Sequence, residues 1–241
     1  RIHIKDVGEI AEIEKWAQFY DAEIEYMELK SQFRCNGSNE YLAWLDNTLE
    51  IRETANRVLD TQSYDFRVFD DPNDLFAAIE EKNRTVGRSR VVAGYCWDWK
   101  SKKDPDQMDI EIPEYNFKKQ WNLGSDGSLW LIRDSSIDQI GCIHTCQGLE
   151  MEYVGVIVGP DLRLMNDKIV TDVSKRSGMD RSVFGWKKAI KSNPKEGNEV
   201  LDRIIRNTYR TLLTRGIRGC YVCCTDKELG NTLRNKTKNE N

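Results

Sequence analysis

The sequence predicts an α/β domain, a mostly parallel sheet flanked by helices, and three observations carry that expectation. Strand-like and helix-like segments alternate in the order β-α-β-α-β through the first 95 residues. Arg90-Val91-Val92-Ala93-Gly94-Tyr95 is apolar toward both faces, as a strand inside a parallel sheet must be. Leu201, Ile204, Ile205, Thr208 and Leu212 form a long stripe at helical spacing, the mark of a helix laid on such a sheet.

Taken in order, Ile10, Ile13, Trp16 and Tyr20 recur at helical steps and predict an amphipathic helix over 8–20. Residues 25–33 alternate enough for a strand. Asn36-Gly37-Ser38 makes a turn, and Ser38 caps a helix whose inner face is Tyr41, Leu42, Leu45 and Leu49. Residues 64–69 are a short strand. Asp71 caps the next helix, Pro72 takes its first position, and Leu75, Phe76 and Ile79 face inward. After the 90–95 strand, residues 97–136 break the rhythm. Asp104-Pro105, Gly124 and Asp126-Gly127 punctuate aromatic-rich pieces there, so an inserted hairpin or loop layer is expected. Residues 139–144 read as a loop or short helix before a strong strand at 153–158. The polar stretch 166–197 reads as a surface wrapping. The long helix, a strand from Gly219 to Thr225 and a short helix over 226–233 close a single domain spanning 1–241. Residues 235–241 read as a frayed tail.

The chain has 241 residues, enough to bury a real core, and no apolar run long enough for a membrane span. It begins at Arg1 with no initiator Met and no apolar leader, and reads as part of something longer. A net charge of −4 excludes a chain that is basic as a whole, although 168–238 is rich in Lys and Arg and permits a local basic face. Seven cysteines, an odd number without a secretory signal, predict reduced thiols in a cytoplasm. A zinc grouping of Cys220 and Cys223 with Cys142, His144 and Cys146 fails on geometry. Residues three apart on a strand point to opposite faces, so small core residues are the better reading.

No G-x-x-x-x-G-K-[ST] loop and no G-x-G-x-x-G turn occurs, so the chain has no phosphate cradle of its own. Any chemistry must belong to a site completed elsewhere. Three segments stand out. Gln32-Phe33-Arg34 ends a predicted strand, where an Arg reaches an anion or simply pairs with a surface acid. Ile143-His144-Thr145-Cys146-Gln147-Gly148-Leu149-Glu150 joins two predicted strands; it is either a site at the sheet edge or a tight connection in which Gly148 supplies a permissive backbone. Thr214-Arg215-Gly216-Ile217-Arg218 follows the long helix, where Arg suits the helix dipole or meets a transferring phosphoryl group.

Together and in this order, the three segments resemble motifs IV, V and VI of the second half of superfamily 1 helicases. His144-x-x-Gln147-Gly148-Leu149-Glu150 before the apolar Tyr153-Val154 is the specific part. Phrases such as Val92-Ala93-Gly94-Tyr95-Cys96-Trp97-Asp98-Trp99 and 141–161 are similar to an uncharacterised prokaryotic P-loop family called "domain of unknown function 2075". The resemblance covers nearly the whole chain and implies a second RecA-like domain of P-loop NTPase type. A preceding RecA-like domain of the same protein would carry the P-loop and hold ATP and Mg2+. It further implies that Arg34 and Arg215 act as arginine fingers, that Gln147 and Gly148 line the phosphate side of the cleft, and that Glu150 bonds the ribose. His144 and Thr145 would face single-stranded DNA or RNA. One departure is plain: helicase motif VI continues Thr-Arg-Ala-Arg, whereas this chain has Thr214-Arg215-Gly216-Ile217-Arg218.

The insertion offers a second nucleic-acid surface. Trp97, Trp99, Tyr115, Phe117, Trp121 and Trp130 are interleaved with Lys100, Lys102, Lys103, Lys118 and Lys119, a pattern suited to base stacking, with Trp97 and Trp99 foremost. The competing reading is an aromatic minicore, favoured because Asp98, Asp104, Asp106, Asp109 and Glu111 dilute the positive field. The rival to a helicase-like ATPase is a regulatory module that uses ATP to switch a partner without moving along nucleic acid.

Overall fold

The structure, a computed structural model, describes residues 10–27, 35, 38–123 and 127–238. Chain order runs α1 (Ile10–Phe19), α2 (Asn39–Thr48), β1 (Leu59–Asp60), β2 (Asp65–Phe69), α3 (Pro72–Val86), β3 (Arg90–Ala93), β4 (Ile110–Ile112) and β5 (Phe117–Trp121). It continues through β6 (Gln139–Gly141), α4 (Ile143–Cys146), β7 (Met151–Val158), β8 (Leu162–Met165), β9 (Lys168–Thr171), α5 (Trp186–Ser192), α6 (Pro194–Leu213), β10 (Gly216–Cys224), α7 (Lys227–Asn235) and β11 (Thr237–Lys238).

Seven strands form one sheet in the order β2-β10-β7-β3-β6-β5-β4. The first six are parallel and β4 is antiparallel to β5 at the edge. The α/β expectation holds, and the architecture is that of a RecA-like domain. Local chemistry sets the helix starts as expected: Ser38 Oγ accepts from the Tyr41 N–H at 3.1 Å, and Asp71 accepts from the Asn73 N–H at 2.7 Å ahead of Pro72.

The sheet buries apolar side chains on both faces. On one side Tyr41, Trp44 and Leu45 of α2, Ile205 and Leu212 of α6, and Leu229 and Leu233 of α7 pack on Val92, Val154, Val156, Cys220 and Val222. On the other, Leu75, Phe76 and Ile79 of α3 pack on Val91, Ile157, Ile140, Tyr221 and Cys223. Cys220 and Cys223 thus enter different cores, as strand alternation requires.

Several expectations change. The insertion contains a hairpin, and it is not a separate layer: β5 pairs with β6 and extends the main sheet. Residues 139–141 are a strand, too short to show periodicity. The 166–197 stretch is not merely a surface wrapping. It holds β9, α5 and a buried charge cluster described below. Asn235 ends α7, and Thr237–Lys238 pairs with Leu59–Asp60, so order extends into the supposed tail. The strand expected over 25–33 is absent at 25–27; the remainder lies outside the described residues. Helix α1 forms, yet Ile10, Ile13, Trp16 and Tyr20 stay exposed. No helix among the described residues is long and apolar enough to cross a membrane.

Candidate functional site

The connection from β6 to β7 positions most of the residues singled out from sequence. In the parallel sheet, β6 delivers Cys142 at the carboxyl edge, beside the residues that follow β3. The chain then forms the single turn α4, whose Ile143 and Cys146 are buried in the larger core, and reaches the amino end of β7. Gly148 makes the turn with φ +83°, a conformation that side chains with a Cβ rarely adopt. Gln147, Gly148 and Glu150 are exposed.

Arg215 lies directly behind this exposed segment. It is only 6% exposed, because α6 ends at the amino edge of the sheet and drops its last residues beside β7. Its Nε donates to the Thr211 carbonyl at 3.0 Å, and Nη1 donates to the Leu149 carbonyl at 3.2 Å and, more weakly, to that of Cys146 at 3.4 Å. The structure therefore brings Arg215 and the Cys146–Leu149 connection, two of the segments singled out from sequence, together. Arg218 has a different place: it is exposed and pairs with Glu152 at 2.8 Å, and Glu152 also accepts from Arg88. Hydrogen bonding from Arg88, with Arg218, holds the Glu152 carboxyl below its ordinary value. Between the two arginines, β10 carries a bulge at Gly216 and Gly219. A Cβ at Gly216 would lie 2.0 Å from the Gly219 carbonyl oxygen, so the bulge leaves no room for a side chain there. Arg34 lies outside the described residues.

His144, Thr145 and Trp99 gather elsewhere, in a cleft of about 680 Å³ at the carboxyl edge of the sheet. Tyr95 and Trp99 come from the turn after β3, Lys102 from the insertion, and Met179, Arg181 and Phe184 from the segment before α5. Thr145 is already engaged: its hydroxyl donates to Asn122 Oδ1 at 2.5 Å and accepts from the Cys142 N–H at 3.4 Å. The His144 ring is about half exposed, with Nε2 3.6 Å from Asp180 Oδ1. Trp97 does not line this cleft. Its Nε1 donates to the Glu111 carbonyl, its own carbonyl accepts from Trp121 Nε1, and it packs with the α3-side core. Trp99 packs against the same core and, unlike Trp97, also lines the cleft.

Sequence reasoning missed the polar floor beneath the cleft. Arg176 and Asp180 side chains are fully buried, with Arg176 Nη1 3.0 Å from Asp161 Oδ2 and Nε 2.5 Å from Asp180 Oδ2. Burial alone would raise the Asp180 carboxyl; the adjacent His144 ring, the Arg176 charge and the hydrogen bond from the Ser182 N–H hold it well below the usual carboxylate range. The Tyr209 hydroxyl of α6 donates to Asp161 and accepts from the Gly159 N–H at 2.9 Å. A continuous polar chain thus links His144 to α6. The available signal was slight, an Asp two residues before a Ser in a stretch with no periodicity. A second cleft, about 710 Å³ beside α6, is lined by Glu12, Glu50, Glu196, Glu199 and Asp202 against Arg203 and Arg206, a balance that repels phosphate.

A mostly parallel α/β sheet in which the 147–150 connection and the Arg215 segment touch defines a domain of helicase-like architecture. Residues 1–226 match the family described as Schlafen group 3, DNA/RNA helicase domain, and the chain belongs to that family. It is also 30% identical over 224 residues to an uncharacterized protein of Saccharomyces cerevisiae, covering 87% of this chain and 48% of the yeast protein. The chain therefore spans about half the length of that relative. No solved structure matches it. The helicase kinship seen in the motifs holds at this level.

Proposed function

We propose that this chain is the second RecA-like half of a superfamily 1 type ATPase, working against a first RecA-like domain of the same protein. The observation that carries this reading is the seating of Arg215 against Leu149, immediately behind exposed Gln147, Gly148 and Glu150. On this reading the preceding domain holds ATP and Mg2+. Gln147 and Gly148 line the phosphate side, Glu150 bonds the ribose, and Arg34 and Arg215 stabilise charge on the γ-phosphate. The donor set suits a nucleoside triphosphate: an exposed glycine turn that admits close approach, flanking polar side chains and a guanidinium behind them. Arg215 would exchange its carbonyl partners for the phosphate as the two domains close. The resemblance to domain of unknown function 2075 supports this proposal, in which a P-loop domain would precede residue 1.

His144, Thr145 and Trp99 then form the nucleic-acid side, on the opposite sheet edge from Arg215. A cytoplasmic setting fits seven cysteines, none of them in a disulfide. The test is the ATPase rate of the full-length protein titrated with single-stranded DNA or RNA. Stimulation that weakens with salt supports the reading. ATP hydrolysis indifferent to both polymers would replace it with an ATP-driven switch acting on a protein partner. Magnesium-dependent hydrolysis by residues 1–241 alone would overturn the division of labour between two domains.

A further inference from the structure

We infer that the cleft at the carboxyl edge seats one unstacked base of a single-stranded nucleic acid, in a subsite built mainly from residues outside the helicase motifs. The inference rests on the nucleic-acid reading above and sharpens it to a position. Trp121 and Trp130 are fully buried, and Trp97 is tied by backbone hydrogen bonds on both sides, so these rings are structural. Trp99 packs against the α3-side core and is also cleft wall, with Lys102 Nζ 5.7 Å from its ring centroid. Tyr95 meets Trp99 and His144 edge to face, at 6.4 and 6.3 Å, and so fixes both rings. Phe184 is 65% exposed at the same cleft, an aromatic that the fold itself leaves uncovered.

Charge separates base from phosphate. The nearby carboxylates are engaged: Asp180 by Arg176 and the Ser182 N–H with His144 alongside, Asp161 by Arg176 and Tyr209, and Asp98 by Ser177 at 2.5 Å. The cations Lys102 and Arg181 are exposed, and among the described residues neither forms an ion pair. Ion-paired Asp161 and Asp180 below, with exposed Asp98 bonded by Ser177 and cations at the mouth, suit an uncharged base inside with its phosphate outside. A volume of about 680 Å³ admits one nucleotide and not a duplex.

The test uses full-length protein and fluorescence anisotropy of a labelled single-stranded oligonucleotide, in DNA and RNA versions, with one abasic site scanned along it. One abasic position should weaken binding about 5- to 150-fold, the range for losing one stacked base. Trp99→Ala and Phe184→Ala should each weaken the intact oligonucleotide and abolish most of the abasic penalty, while Trp99→Phe restores it. Phe184 is exposed, so its replacement leaves the core intact and keeps the test independent of folding. Arg181→Ala should lower the slope of log affinity against log salt by about one. Salt-sensitive binding with an abasic penalty unchanged in Phe184→Ala and Trp99→Ala would overturn this subsite and leave the proposed function standing. Failure of the protein to bind either polymer would remove both.

Discussion

The Arg215 guanidinium donates to the Leu149 carbonyl at 3.2 Å, and the Arg215 carbonyl accepts from the Met151 N–H at 2.9 Å. Side chain and backbone of one residue thus tie the end of α6 to both sides of Glu150. Any displacement of the motif V loop must be felt by Arg215, and the reverse.

Replacing Arg215 by Ala in the full-length protein should therefore have two separable effects. On the proposed finger role, turnover should fall on the order of a thousandfold. Stability should fall by about 1–3 kcal/mol, because buried carbonyls lose a donor. Fluorescent-nucleotide binding and steady-state ATPase assays distinguish these effects from loss of the fold. Wild-type turnover in a folded Arg215→Ala protein would dismiss the finger role.

Gly216→Ala should destabilise this chain. The new methyl meets backbone, the Gly219 carbonyl, at a distance no side-chain rotation relieves. A loss of about 1–3 kcal/mol is expected in urea unfolding. An unchanged midpoint would show that the bulge at Gly216 relaxes freely.

Arg176 and Asp180 predict an acid-sensitive interior. Asp180 is held well below its ordinary value in the fold, so its contribution is fully present above the unfolded carboxylate value near pH ~3.9 and is lost as pH falls below it. Asp180→Asn should flatten the acid limb of a stability-versus-pH curve. Arg176→Met should cost about 3–5 kcal/mol at neutral pH, since it strands Asp161 and Asp180 as buried unpaired carboxylates. Thermal unfolding followed from pH 7 downward checks both.

The β10 thiols should be inert in the native protein. Burial pushes the Cys223 thiol up to about 12, and burial likewise raises Cys220 and Cys224. Alkylation at neutral pH followed by mass spectrometry should leave all three unmodified until denaturant is added. Rapid native labelling of Cys220 would contradict its place beneath α2.

Much of the framework was legible because it depends on neighbours in sequence. Ser38, Asp71 and Pro72 start helices through contacts within three residues, and the α6 stripe needs only its own period to declare a buried face. The order of Gln147-Gly148-Leu149-Glu150 and Thr214-Arg215 was equally plain, because motif spacing is a linear property. Gln139–Gly141 escaped notice because three residues hold too little pattern.

What linear pattern could not supply was the company each residue keeps across the sheet. Arg215 and Leu149 are 66 positions apart and meet only because β7 and β10 are parallel neighbours. Trp97 and Trp99 look alike in sequence and both pack against the α3-side core, yet the Trp97 indole is tied to the Glu111 carbonyl while Trp99 also forms cleft wall. The buried Asp161, Arg176 and Asp180 looked like solvated surface, because a charge is read as exposed until its partner is known. Strand order sets those partners. It is fixed by which apolar faces can be covered simultaneously, a property of the whole packed chain and of no single segment.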